Sequence, residues 1–212
     1  MRALHESVTG ARHLATSQDF TISPFHHLTA FQTMSSTYVT DPQMLGIGLL
    51  VARLVLGLLM AAHGAQKLFG WFGGYGLNAT GEFMVQLGFP SGRVFASAAS
   101  AGEIASGLLV AFGFLGPIGP ALMISVMIVA AITVHWKNGV FATENGIELP
   151  LLYGTGALAM ALVGFGPYSL DAVLGLAPLW TPRVTALALA VGVIGGIANL
   201  LVRRSATATA AR

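Results

Sequence analysis

The sequence predicts an all-α membrane protein, a four-helix transmembrane bundle followed by a fifth, C-terminal transmembrane helix. Three observations carry that prediction. Charged residues are 8% of the chain, where a soluble domain carries about 25%. Mean hydropathy is +0.76. Apolar runs of membrane-crossing length alternate with Gly/Pro-rich breaks along most of the chain. At about 20 apolar residues per crossing, 212 residues accommodate four or five spans with tails and no large soluble catalytic domain.

Residues 1–43 form a Ser/Thr-rich tail without an apolar run long enough for a signal-peptide core. A transit-like segment and an over-extended start, with Met34 and Met44 both preceding the first span, are alternative readings of it. Residues 44–171 make the four-helix membrane domain, and residues 172–212 a loop, the fifth helix and a basic tail.

The first span runs from about Met44 to Phe69, after Asp41-Pro42, and leaves through the turn Gly70 to Gly76. Trp71, Phe72 and Tyr75 there suit an interfacial belt. Gly81 to Leu87 suits a short amphipathic surface helix, a lid or a plain connector. The second span, about Val94 to Leu115, carries Glu103 near its middle and a small-residue row of Ala98, Gly102 and Ser106 that permits close helix approach. The third follows Gly119-Pro120 to about Thr133 and ends in His135-Trp136-Lys137. Pro150 lies in the first turn of the fourth, which stops near Gly166-Pro167. The fifth extends from Val184 to Val202, with Gly192 and Gly196 as a helix contact. Lys67, Arg93, Lys137, Arg203 and Arg204 fall on one side against mainly Arg183 on the other, which predicts an N-out, C-in chain.

Composition also narrows the chemistry. Ten Lys and Arg against eight acids are too few and too scattered for a nucleic-acid surface. With no cysteine, disulfides, thiolate metal sites, iron-sulfur ligation and thiol nucleophiles are all excluded. Four of the six histidines lie in the N-terminal tail, and His63 with His135 alone would make a poor metal or haem site, so no metal is expected.

The candidate site starts from Arg53, His63 and Lys67. At about 100° per residue, Lys67 falls about 40° and His63 about 80° from Arg53, so all three share one side of a helix. Charges in hydrocarbon are costly and face a bundle interior or a wet cavity. Alternating helix directions bring His63, Lys67, His135 and Glu148 to one membrane face, with Glu103 between the depths of His63 and Arg53. A guanidinium fork from Arg53 to Glu103, with His63 and Lys67 at the mouth, would form a polar funnel. Plainer readings stand beside it. An Arg53–Glu103 pair can fix helix register, His63 can bridge helices, Lys67 can snorkel, and His135 with Trp136 can anchor at the interface.

The ordered motifs Arg53-Leu54-Val55-Leu56-Gly57, His63-Gly64, Lys67-Leu68-Phe69-Gly70, Ala101-Gly102-Glu103 and Gly166-Pro167-Tyr168-Ser169-Leu170-Asp171 resemble the DoxX family of small membrane proteins. That resemblance implies a four-helix bundle in a bacterial cytoplasmic membrane and a quinone-associated redox role of the thiosulfate:quinone oxidoreductase type. The tail and the fifth run depart from the family pattern.

Three functions follow as expectations. In the first, His63, Lys67 and Glu103 act on a bound quinone or sulfur oxyanion, and Arg53, His135 and Glu148 complete the binding set. In the second, the chain is a non-catalytic scaffold whose loops dock a soluble redox or stress-response protein, alone or as a homo-oligomer in the lipid bilayer. In the third, it transports a small solute.

Overall fold

The computed structural model describes residues 41–203. The expectations for the N-terminal tail up to residue 40, and for Arg204 and the basic tail after it, lie outside the described residues.

Helix α1, Pro42–Phe69, is 28 residues long. The Asp41 carboxylate accepts from the Gln43 N–H, Pro42 opens the first turn, and left-handed Gly70 (φ 74°) ends the helix by donating to Gln66 O. Such a length is about 42 Å, against a hydrocarbon core of about 30 Å, so at least one end of α1 reaches the interface. After a 3-10 turn, Trp71–Gly73, comes α2, Gly76–Gln86. A helix is present where the short amphipathic helix is predicted, and it starts five residues earlier than Gly81.

Helix α3, Gly92–Phe112, returns antiparallel along α1. Helix α4, Ile118–Ala130, continues through a π turn, Ala131–His135, and a 3-10 turn, Trp136–Asn138. Helix α5 is Glu148–Val163, α6 the single turn Leu170–Val173, and α7 Pro182–Leu201. Among the described residues there is no strand. Four stretches among the described residues are long and apolar enough to cross a membrane: Pro42–Phe69, Gly92–Phe112, Ile118–Asn138 and Pro182–Leu201. Helix α5 is apolar but has only 16 residues, about 24 Å. The chain after it still reaches the far face, because Pro167 and Tyr168 lie against Gly46 in the first turns of α1.

Helix α3 packs on α1, α2 and α4, while α4 also carries α5 and α7. A shared core of Met60, Val110, Met123, Met127, Tyr153, Ala157 and Met160 joins α1, α3, α4 and α5. The α1–α3 seam is set by glycine. A Cβ on Gly57 would lie 2.4 Å from Gly107 O, one on Gly107 2.5 Å from Gly57 O, and one on Gly64 2.6 Å from Ser100 O. Backbones this close permit no side chain between them. The α1 seam uses Ser100 and Gly107; of the predicted row, Gly102 instead faces α4, where a Cβ would lie 3.1 Å from Val126 Cγ2, Ser106 is buried and Ala98 is exposed. The predicted Gly192 and Gly196 contact is present: they bring α7 onto Ala121 and Ser125 of α4.

Candidate functional site

Gly57 opposite Gly107 and Gly64 opposite Ser100 define one antiparallel register for α1 and α3. Continued in both directions, it sets Arg53 level with Ala111 and Ala61 level with Glu103. Two polar clusters result, one near each end of the pair.

At the first end, Arg53 is 2% exposed. Its guanidinium donates to Ala111 O at 3.0 Å and also to Tyr168 O. Ala111 O is one of the last carbonyls of α3, where the helix dipole is negative and lacks internal partners, so a buried cation is favoured there. Asp171 does the converse job at the start of α4. Its carboxylate accepts from Leu115 N at 2.9 Å, Gly116 N at 2.7 Å and Trp180 Nε1 at 2.8 Å, holding the α3–α4 turn just ahead of Ile118. Ser169 caps α6 by accepting from Ala172 N and donates to Gly166 O, which orders the segment that carries Tyr168 and Asp171.

The expected fork from Arg53 to Glu103 is thus corrected. The register separates their levels by eight residues, about 12 Å, and the guanidinium is already bonded to two carbonyls. Lys67 pairs with Glu103 instead. Lys67 stands six residues, about 9 Å, beyond the level of Glu103 and reaches inward to it rather than snorkelling outward. The Glu103 side chain is 1% exposed and that of Lys67 35%, so the pair opens toward the α1–α2 end. Glu103 Oε2 has no hydrogen-bond partner among the described residues. Ser100 and Ser106 do not supply one, since their hydroxyls donate to Ala96 O and Glu103 O.

His63 lies one turn before Lys67 and is half-buried, edge-to-face with the buried Tyr153 of α5 at a centroid distance of 5.7 Å. Its Nδ1 is 3.2 Å from Gln66 Oε1, while Gln66 Nε2 donates to Phe72 O at 3.2 Å. The Phe72 carbonyl requires the amide NH2, so the Gln66 oxygen is left as an acceptor and Nδ1 of a neutral His63 carries the proton. Nε2 is then an acceptor. Thr80 donates to Lys67 O and Gly76 O, which ties α2 to the last turn of α1 beside this cluster.

His135 and Glu148 have different partners. His135 Nδ1 donates to Asn145 O at 2.8 Å, and Glu148 Oε2 accepts from Ala142 N at 2.7 Å. Both therefore fasten the loop between α4 and α5, and neither bonds the Lys67–Glu103 pair. Gln66 and Tyr153 are the residues that reading the sequence missed. Gln66 stands three residues after His63, a spacing at which helix side chains meet, and could have been found. Nothing in the sequence marks Tyr153.

A family model described as DoxX matches residues 48–136, which run from α1 through the end of α4 and include Arg53, His63, Lys67 and Glu103. Residues 48–136 are thus similar to the DoxX family. The chain is a multi-pass membrane protein, and both α1–α3 clusters draw on the matched residues. Tyr168, Asp171, Tyr153 and α7 lie beyond the match. No curated protein and no solved structure matched the chain.

Proposed function

We propose that this protein belongs to the DoxX family and is a quinone-associated redox subunit or accessory protein of a bacterial cytoplasmic membrane, N-out and C-in, with its quinone head-group site at Lys67, Glu103 and His63. The observation that carries the reading is the inward-reaching Lys67 on a buried Glu103 with one unused carboxylate oxygen. A buried polar atom without a partner costs about 1–3 kcal/mol, and a polar ligand offsets that cost. A bound quinone would supply two-electron, two-proton chemistry. Lys67 would hold a ligand oxygen, His63 Nε2 would accept or return a proton, and Tyr153 would position the imidazole. Arg53, at the far end of the seam, is left out of the site, and His135 and Glu148 fasten the α4–α5 loop. Lys67, Arg93, Lys137 and Arg203 at the α1–α2 end support the C-in orientation.

The test is quinone binding to protein reconstituted in lipid nanodiscs. Binding that weakens about tenfold or more in both His63→Ala and Lys67→Ala is expected. Unchanged binding in both removes the reading. A second reading, a membrane scaffold for a soluble redox partner, is favoured by the exposed aromatics on the loops at the same end. Trp71, Phe72, Tyr75, Trp136 and Phe141 are between 59% and 88% exposed. Enrichment of one protein with wild type, lost on Trp71→Ser with Phe72→Ser, would support it.

A further inference from the structure

We infer that the Lys67–Glu103 site takes a hydroxyl group, so that the reduced, dihydroxy form of a quinone binds it in preference to the oxidised form or to an oxyanion. The inference rests on the quinone reading and adds which redox form the site holds. Its basis is the arrangement of donors and acceptors. Lys67 is about a third exposed and retains N–H donors beyond the one given to Glu103. Beside it, Glu103 Oε2 is buried and has no partner among the described residues, and on an ionised carboxylate such an oxygen can accept but not donate. His63 Nε2, one turn deeper, is a second acceptor by virtue of the Gln66 and Phe72 hydrogen bonds.

A hydroxyl both accepts and donates. Its oxygen can take an N–H from Lys67 while its proton goes to Glu103 Oε2, and both needs are met by one group. A quinone carbonyl satisfies Lys67 alone and turns its lone pairs toward those of the carboxylate. A sulfur oxyanion does so with a full negative charge, close to a buried carboxylate whose single countercharge is already engaged. Sites built to hydrogen-bond a hydroxyl discriminate strongly against ligands without one, because the buried acceptor is then left unpaired.

The experiment titrates the full chain in nanodiscs with a short-chain ubiquinol and, separately, the matching ubiquinone, with thiosulfate as competitor. We expect the quinol to bind at least about tenfold more tightly in wild type and thiosulfate not to compete. Glu103→Gln keeps the side-chain shape but can present an NH2 group, and it should abolish or reverse the preference while the helix content and elution volume stay unchanged. Binding of neither form overturns the quinone reading itself. Equal binding of both forms, displacement by thiosulfate, or a preference that survives Glu103→Gln leaves that reading standing and overturns this inference.

Discussion

The two ends of the α1–α3 seam use the same kinds of residue for opposite purposes. At one end Arg53, Asp171 and the Tyr168 carbonyl are buried or closely bonded, and each charge meets a helix terminus or the turn beside one. At the other, Lys67 is partly exposed, Glu103 keeps an unused oxygen, and His63 keeps a free ring nitrogen. The Arg53 end is closed though not saturated, since Arg53 is 2% exposed and its Nε has no partner among the described residues. Unsaturated polar groups that open toward one face are what a ligand can use. A charge inside a membrane helix is better sorted by whether its cluster opens toward a face than by its depth, since both Arg53 and Glu103 keep one unpaired atom but only the second is paired to a partly exposed side chain.

Three substitutions would break or sharpen that contrast. Gly57→Val should have the largest effect. Its branched side chain would sit where a Cβ already lies 2.4 Å from Gly107 O, so α1 and α3 must separate and both clusters lose their register. Loss of the monodisperse peak in size-exclusion chromatography and of cooperative thermal unfolding is the expected result, and a normal profile would show that the seam does not set the register.

Arg53→Ala comes next. It leaves Ala111 O and Tyr168 O without their donor inside the bundle, a cost of about 3 kcal/mol for two charge-assisted bonds after partial relaxation. Reversible unfolding in mixed micelles should show the loss, and the protein that remains folded should keep its ligand preference. A variant of normal stability with altered binding would move Arg53 into the site.

The smallest effect on stability is expected for Lys67→Met. Lys67 is a third exposed, so the pair is partly screened, and removing the cation should cost about 1 kcal/mol, through the unpaired Glu103. Adding Glu103→Gln should restore most of that stability without restoring ligand binding. If the double variant is no more stable than the single one, the pair does not act as a unit.

Much of the fold was legible because the bilayer demands it. Long apolar runs, Gly/Pro breaks and the scarcity of charge left little choice but helices, and the first and fifth spans were placed within two residues of their observed starts. The candidate site was legible in its members more than in its pairings. Lys67 pairs with Glu103, the cation expected there being Arg53, while His63 one turn away bonds Gln66 and packs on Tyr153. Helical periodicity states which side a residue occupies but not how far one helix slides along another, and a slide of a few residues exchanges one partner for the other.

His135 and Glu148 show the same limit at a loop. Their common face follows from counting spans, but the π turn Ala131–His135 and the left-handed Asn145 (φ 60°) direct them to backbone groups of their own connection. The sequence by itself determined the membrane class, the helix order and the polar residues that had to find partners, since hydropathy and the cost of buried charge act locally along a chain. Only the tertiary structure decided which partners they found, because that depends on backbone contacts between Gly57 and Gly107 and between Gly64 and Ser100, residues distant in sequence whose approach sets the level of every side chain across the seam.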